Sequence, residues 1–354
     1  MASDWGGSVD RGGRAEAEPA GIVGDHPSGA RAIGKRSPLS LAPALAGDLS
    51  GVVVVIALAL LFGLTSPYFL TYDNALNILR QMSVIGVVGI GATLVILIGG
   101  IDLSVGSVVL LTGGITGTLI LNYGVNPWLA IAAGLTAAAF VGLVNGTLVE
   151  LLQISPVIVT LGTLIVVRGV GQAILWLNNS WVYVEDPLFA YLAAGKWVFL
   201  PVSAGLMLAL YLIISVVMTQ TSFGRAVYAI GNNPRAAALC GLSVKRVKVL
   251  VYVLGGLFAG IGGLLTAART GVVNPTAGLG LEFQVITAVV LGGTSLRDGI
   301  GRVEKTLVGT AILAMVLNYL TIRGVPDTWQ TAVTGLMILA AVVLDRLLRR
   351  AREG

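Results

Sequence analysis

At 354 residues the chain is long enough for two or three soluble domains, yet 56% of it is hydrophobic and only 11% charged, against about 25% charged in ordinary globular proteins. Its 48 glycines suit packed membrane helices, and a net charge of +5 fits orientation across a bilayer better than nucleic-acid binding. One cysteine, Cys240, and one histidine, His26, exclude an intrachain disulfide, a histidine-built metal site and a Ser-His-Asp triad.

Residues 1–48 mix Gly, Pro, Ala and both charge signs without an apolar run, and are expected to form a disordered cytoplasmic tail. Gly29, Gly34 and Lys35 imitate a phosphate-binding loop, but Arg36 stands where that loop needs Ser or Thr. The first apolar run starts at Leu49, too far along the chain for a cleaved secretory leader, and reads as a retained anchor. From there the charge-poor runs predict ten membrane spans within residues 49–348: 50–66, 81–100, 103–121, 128–149, 156–176, 197–218, 248–268, 283–298, 305–321 and 329–346. The eighth is the weakest, because its strictly apolar part ends at Leu291; a short, broken or re-entrant element is its alternative. With both termini cytoplasmic, most Arg and Lys residues fall inside, and only Arg80, Lys196, Arg269 and Arg323 fall outside. Residues 349–354 form a short cytoplasmic end.

At the inner end of the second span stands Gly99-Gly100-Ile101-Asp102-Leu103-Ser104-Val105-Gly106-Ser107. One reading is a tight turn with Asp102 or Ser104 capping the next helix. The other is part of a gate, since glycines permit backbone that is tolerable at membrane depth only against protein or a wet cavity. Gly292-Gly293-Thr294 begins a second Gly-Gly stretch, likewise followed three residues on by Leu and six on by Gly, a pattern that could echo an internal duplication. Arg168 lies inside the fifth span, where charge is costly, and should face the bundle; Asn145, Glu150 and Glu282 are its candidate partners. Structural pairing and lining of a translocation path remain equal readings. Trp128, Trp176, Trp181, Trp197 and Trp329 fall near predicted outer ends and read as interfacial anchors.

The long cytoplasmic loop 219–248 carries a helix signature. Asn233 can cap, Pro234 suits the first helical position, Arg235, Ala236, Ala237, Ala238 and Leu239 favour helix, and Gly241 ends it. Ser243 is expected to cap the next helix.

Gly99–Ser107, Thr160–Gly169, Phe223–Lys248 and Ala288–Leu296 together resemble the permease subunit of ribose-type ABC sugar importers, in the same order and over nearly everything after the tail. The chain departs from that pattern at Asn232, Gln284 and Glu304-Lys305. The resemblance implies an all-α membrane fold of the type II importer kind in a prokaryotic inner membrane. It implies a second permease copy, a cytoplasmic ATPase that alone holds ATP and magnesium, and an external sugar-binding protein as partners, besides lipid. It also makes Asn233–Ser243 the coupling helix that docks on the ATPase. The chain carries no ATP site of its own. An ion-driven carrier would place more acids deep in its spans, and a non-transporting scaffold would not need the Gly-Gly turns.

Overall fold

The structure, a computed structural model, describes residues 42–295 and 299–353. The tail expected over 1–48 therefore lies mostly outside the described residues, but its last part is helical, since α1 spans Ala42–Thr65. Among the described residues, seven helices are long and apolar enough to cross a membrane: α2 (Tyr72–Leu97), α3 (Val105–Tyr123), α4 (Pro127–Leu151), α5 (Pro156–Trp176), α7 (Val202–Gln220), α10 (Val244–Thr270) and α12 (Val303–Ile322). The three remaining predicted spans coincide with shorter apolar stretches, Gly51–Thr65 of α1, α11 (Leu281–Leu291) and Asp327–Val343 of α13 (Asp327–Glu353). The protein is an all-α, multi-pass membrane protein.

Helix starts follow local chemistry. Pro127 and Pro156 open α4 and α5 at the position where a missing N–H costs nothing. Asn126 caps α4 by accepting from the Trp128 N–H at 2.9 Å, and Thr71 caps α2 through the Asn74 N–H at 3.3 Å.

Helices α2 and α10 form the buried centre, with α3, α4, α11 and α12 around them. In a bilayer no hydrophobic driving force draws helices together, so close backbone approach and dispersion must do so. A side chain at Gly256 of α10 would strike the Ala138 carbonyl of α4, and one at Gly142 the Tyr252 carbonyl. The predicted aromatic anchors all stand exposed, from 50% at Trp181 to 78% at Trp176.

The eighth span is not one continuous helix. Its helix, α11, has 11 residues, roughly 16 Å of rise. Before it, residues 271–280 run as irregular backbone alongside α3. Val273 packs near Gly113, and Gly278 closes against Gly106 nearer the start of α3. Short strands pin the top of this segment: β1 (Val182–Tyr183) pairs antiparallel with β4 (Val272–Val273). Its carbonyls are met by protein, which is how irregular backbone survives at membrane depth. A second ribbon, β2 (Lys196–Trp197) with β3 (Leu200–Pro201), leads into α7.

Candidate functional site

Two Gly-Gly turns and the loop helix were the residues singled out in sequence, and the fold brings them to one end of the bundle. After α2, the Gly99 N–H donates to Ile96 O and the Gly100 N–H to Val95 O, both at 2.9 Å, with Gly99 left-handed at φ +79°. After α11, the Gly293 N–H donates to Val290 O at 2.8 Å and the Thr294 N–H to Val289 O at 3.2 Å, with Gly293 at φ +83°. Both are Schellman endings. They also correct the sequence alignment of the two stretches. The left-handed position is the first glycine in one and the second in the other, so Gly99 corresponds to Gly293, not Gly292. A helix end, not a copied octet, dictates where glycine must stand.

The second glycine of each pair has a different task. A Cβ at Gly100 would meet the Tyr252 hydroxyl at 2.5 Å, and one at Gly292 the Lys305 carbonyl at 2.5 Å. Thr294 is buried, with its hydroxyl unpartnered, beside Gly301.

Beyond Gly100 the chain enters a buried polar cluster. Asp102 Oδ1 accepts from the Ser104 N–H at 2.8 Å and its hydroxyl at 2.6 Å, and Asn145 Nδ2 donates to Ser104 Oγ at 2.9 Å. Burial raises the Asp102 carboxyl above its ordinary value, while the Ser104 hydrogen bonds lower it. Neither residue caps α3 with its side chain, contrary to the turn reading, because the two satisfy each other. Thr160 of α5 donates to Ile101 O at 3.2 Å and anchors the turn from the other side.

Of the three candidate partners of Arg168, only Glu282 acts on it, through charge and without a direct hydrogen bond or ion pair. Glu150 is taken by Lys248 in an ion pair of 3.0 Å, and Asn145 by Ser104. Arg168 is half-buried, and its Nη1 reaches Ala277 O at 3.5 Å, while Gln172 one turn on donates to Pro275 O at 3.3 Å. These two side chains of α5 thus clamp the irregular 271–280 segment. Glu282 is buried beyond it, against Gly106.

The loop helix is present as α9 (Pro234–Leu239). Asn233 Oδ1 accepts from the N–H groups of Arg235 at 3.1 Å and Ala236 at 3.0 Å, Pro234 is first, and Gly241 follows at φ +83°. Ser243 precedes α10 but makes no side-chain cap. Ala237 is 5% exposed and faces the protein, whereas Leu239 is 90% exposed. Asn233, Pro234, Arg235, Ala236 and Ala238 also lie on the open side.

Sequence reasoning missed the link between these parts. Helix α8 (Ser222–Asn232) leads directly into α9, and its Gly231 sits so close to the end of α2 that a Cβ would strike the Leu97 carbonyl. Gly299 packs on the same glycine. One rigid helix next to α9 therefore touches the end of α2 and the connection between α11 and α12. A glycine late in an amphipathic helix was its only signal. Among the described residues, no three His, Cys, Asp or Glu side chains gather as metal ligands.

The sequence has close counterparts among known proteins. It is 38% identical to the ribose import permease protein RbsC of Escherichia coli (strain K12) over 302 residues, 84% of this chain and 93% of that one. It is 39% identical to RbsC of Bacillus subtilis (strain 168) over 82% of this chain and 89% of the other. The D-allose transport system permease protein AlsC of Escherichia coli (strain K12) is 36% identical over 87% and 94%. Residues 74–342, from the buried Asn74 of α2 into α13, match the family described as branched-chain amino acid transport system / permease component, and the chain belongs to that family as a transport subunit, not a catalyst.

Proposed function

We propose that this permease component carries a monosaccharide inward, in an ABC importer whose ATP and magnesium are held by a separate cytoplasmic ATPase. An extracytoplasmic binding protein would deliver the sugar, and a second copy of the chain would complete the path. The names of the related permeases, for ribose and allose import, support the substrate class. In this reading the chain crosses an inner membrane ten times with both termini and α9 cytoplasmic. The Gly99–Ser104 turn and the Gly292–Thr294 turn act as the inner gate, and α9 docks on the ATPase.

The observation that carries the reading is α9 itself. An isolated six-residue helix is far too short to be stable alone. Yet this one is capped at both ends and fixed to the bundle through Ala237, while it holds Leu239 out at 90% exposure. An exposed apolar tip on a rigid support is what a partner's groove can grip, and α8 transmits its displacement to the α2 end. Leu239→Asp should reduce capture of the ATPase subunit about tenfold, with insertion and amount of permease unchanged. Normal capture and normal uptake by this variant would reject the docking role.

A further inference from the structure

At the end of the bundle opposite α9, helix ends line a half-open cavity of about 550 Å³. Asn77, Arg80 and Gln81 come from the start of α2, Arg269 from the last turn of α10, and Asn318 and Thr321 from the end of α12. Helix α6 (Pro187–Ala194) closes one side. Two guanidinium groups line this space, and none of the described lining residues is a carboxylate.

The neutral groups of the wall are largely occupied. Asn318 exchanges amide hydrogen bonds with Asn74 at 2.9 and 3.0 Å. The Thr321 hydroxyl donates to Leu317 O at 3.0 Å and accepts from Gln330 Nε2 at 3.3 Å. Arg80 Nη1 donates to Asn77 Oδ1 at 3.2 Å, but Arg80 Nε is buried with no partner. The Arg269 side chain is exposed and makes no hydrogen bond or ion pair among the described residues, where the sole ion pair is Lys248 with Glu150. Of the lining groups left without a protein partner, the charged ones are both cationic and donate.

Two like charges beside one cavity repel, and more strongly where water is partly displaced by low-dielectric wall. A neutral ligand leaves that repulsion in place; an anion removes it. Guanidinium forks match the two or three oxygens of a carboxylate or phosphate. The volume falls within the roughly 300–1,000 Å³ usual for small-molecule sites.

We infer that this cavity receives a solute carrying a carboxylate or phosphate on a polyol frame, a sugar acid or sugar phosphate, with Arg80 and Arg269 as its anion-binding pair. This rests on the monosaccharide-import reading and the orientation given with it, and narrows the substrate to anionic members of the class. Gln81 and Asn77 stand beside Arg80 to meet hydroxyls.

The test uses the full-length permease in phosphatidylcholine nanodiscs, with D-ribonate, D-ribose 5-phosphate and D-ribose as probes in equilibrium binding. At least one of the two anions should bind about tenfold or more tightly than D-ribose, less so as salt is raised. Arg80→Gln and Arg269→Gln should each weaken that binding about tenfold, and Arg80→Lys should recover part of it. Equal affinity for all three probes, no binding of any, or wild-type anion affinity in both Gln variants overturns the inference. A further arm uses nanodiscs containing phosphatidylglycerol. If that lipid displaces the anions and is retained by wild type but not by Arg80→Gln/Arg269→Gln, the site holds a lipid headgroup and the solute assignment falls. ATPase capture through α9, measured on the same preparations, separates the two readings. Capture by a folded variant that has lost anion discrimination leaves the importer reading intact, whereas loss of capture in wild type sinks the importer reading itself.

Discussion

Gly99 and Gly293 hold left-handed backbone with open space where a Cβ would go. Their substitution by Ala should therefore cost the conformational term alone, about 1–2 kcal/mol each, seen as equal losses of thermal stability in detergent. Gly292→Ala should cost more, because its Cβ would press on the Lys305 backbone carbonyl. Asp102 offers a sharper contrast. Asp102→Asn keeps an oxygen facing Ser104 and removes the buried charge, so the assembled protein should survive. Asp102→Leu strands the Ser104 N–H and hydroxyl and should destabilise by about 1–3 kcal/mol, measured by the same melting experiment. Equal losses for Asn and Leu would show that charge, not hydrogen bonding, holds the turn.

Helix α9 is an element whose faces are unequal. Ala237 is packed against the protein and Ala236 is open, so Trp at 237 should lower the yield of folded permease while Trp at 236 leaves it inserted and tests docking alone. Yields compared by size-exclusion of the solubilised protein decide this; equal yields would mean that α9 can tilt freely. Next to it, the ion pair of Lys248 with Glu150 joins α10 to α4, with side chains 19% and 8% exposed. Between the small value of surface pairs and the larger one of buried pairs, Glu150→Gln should cost about 2 kcal/mol. The double variant Glu150→Gln/Lys248→Met should recover part of that loss, since no charge is then left unpaired.

Across the molecule, the proposed orientation puts Ala194 outside and Asn233 inside. In a Cys240→Ala background, a cysteine at 194 should react with a membrane-impermeant maleimide in intact cells, and one at 233 only after the membrane is opened. Reversed labelling would invert both ends and move the Arg80 and Arg269 cavity to the cytoplasmic side. The same geometry separates the ends by function: caps, glycine turns and α8 at one, a basic cavity at the other, with the α2 and α10 core between them.

Elements that rest on local rules were readable in the chain. The apolar runs marked each long helix, and Asn233, Pro234 and Gly241 marked α9, because span length, capping and left-handed glycine depend on neighbours a few residues away. Arg168 had no such local answer: three polar partners were open to it, of which Glu282 alone acts on it, and its direct contact is the carbonyl of Ala277, 109 residues along. The pairing of Lys248 with Glu150, the burial of Ala237 and the meeting of Arg80 with Arg269 are likewise products of helices packed side by side. Periodicity states that a residue is on a helix, but which neighbour it faces is set by the rotation and depth of each helix in the bundle. Those are fixed by close-packed glycine contacts between distant segments, and no short window of sequence contains both sides of such a contact.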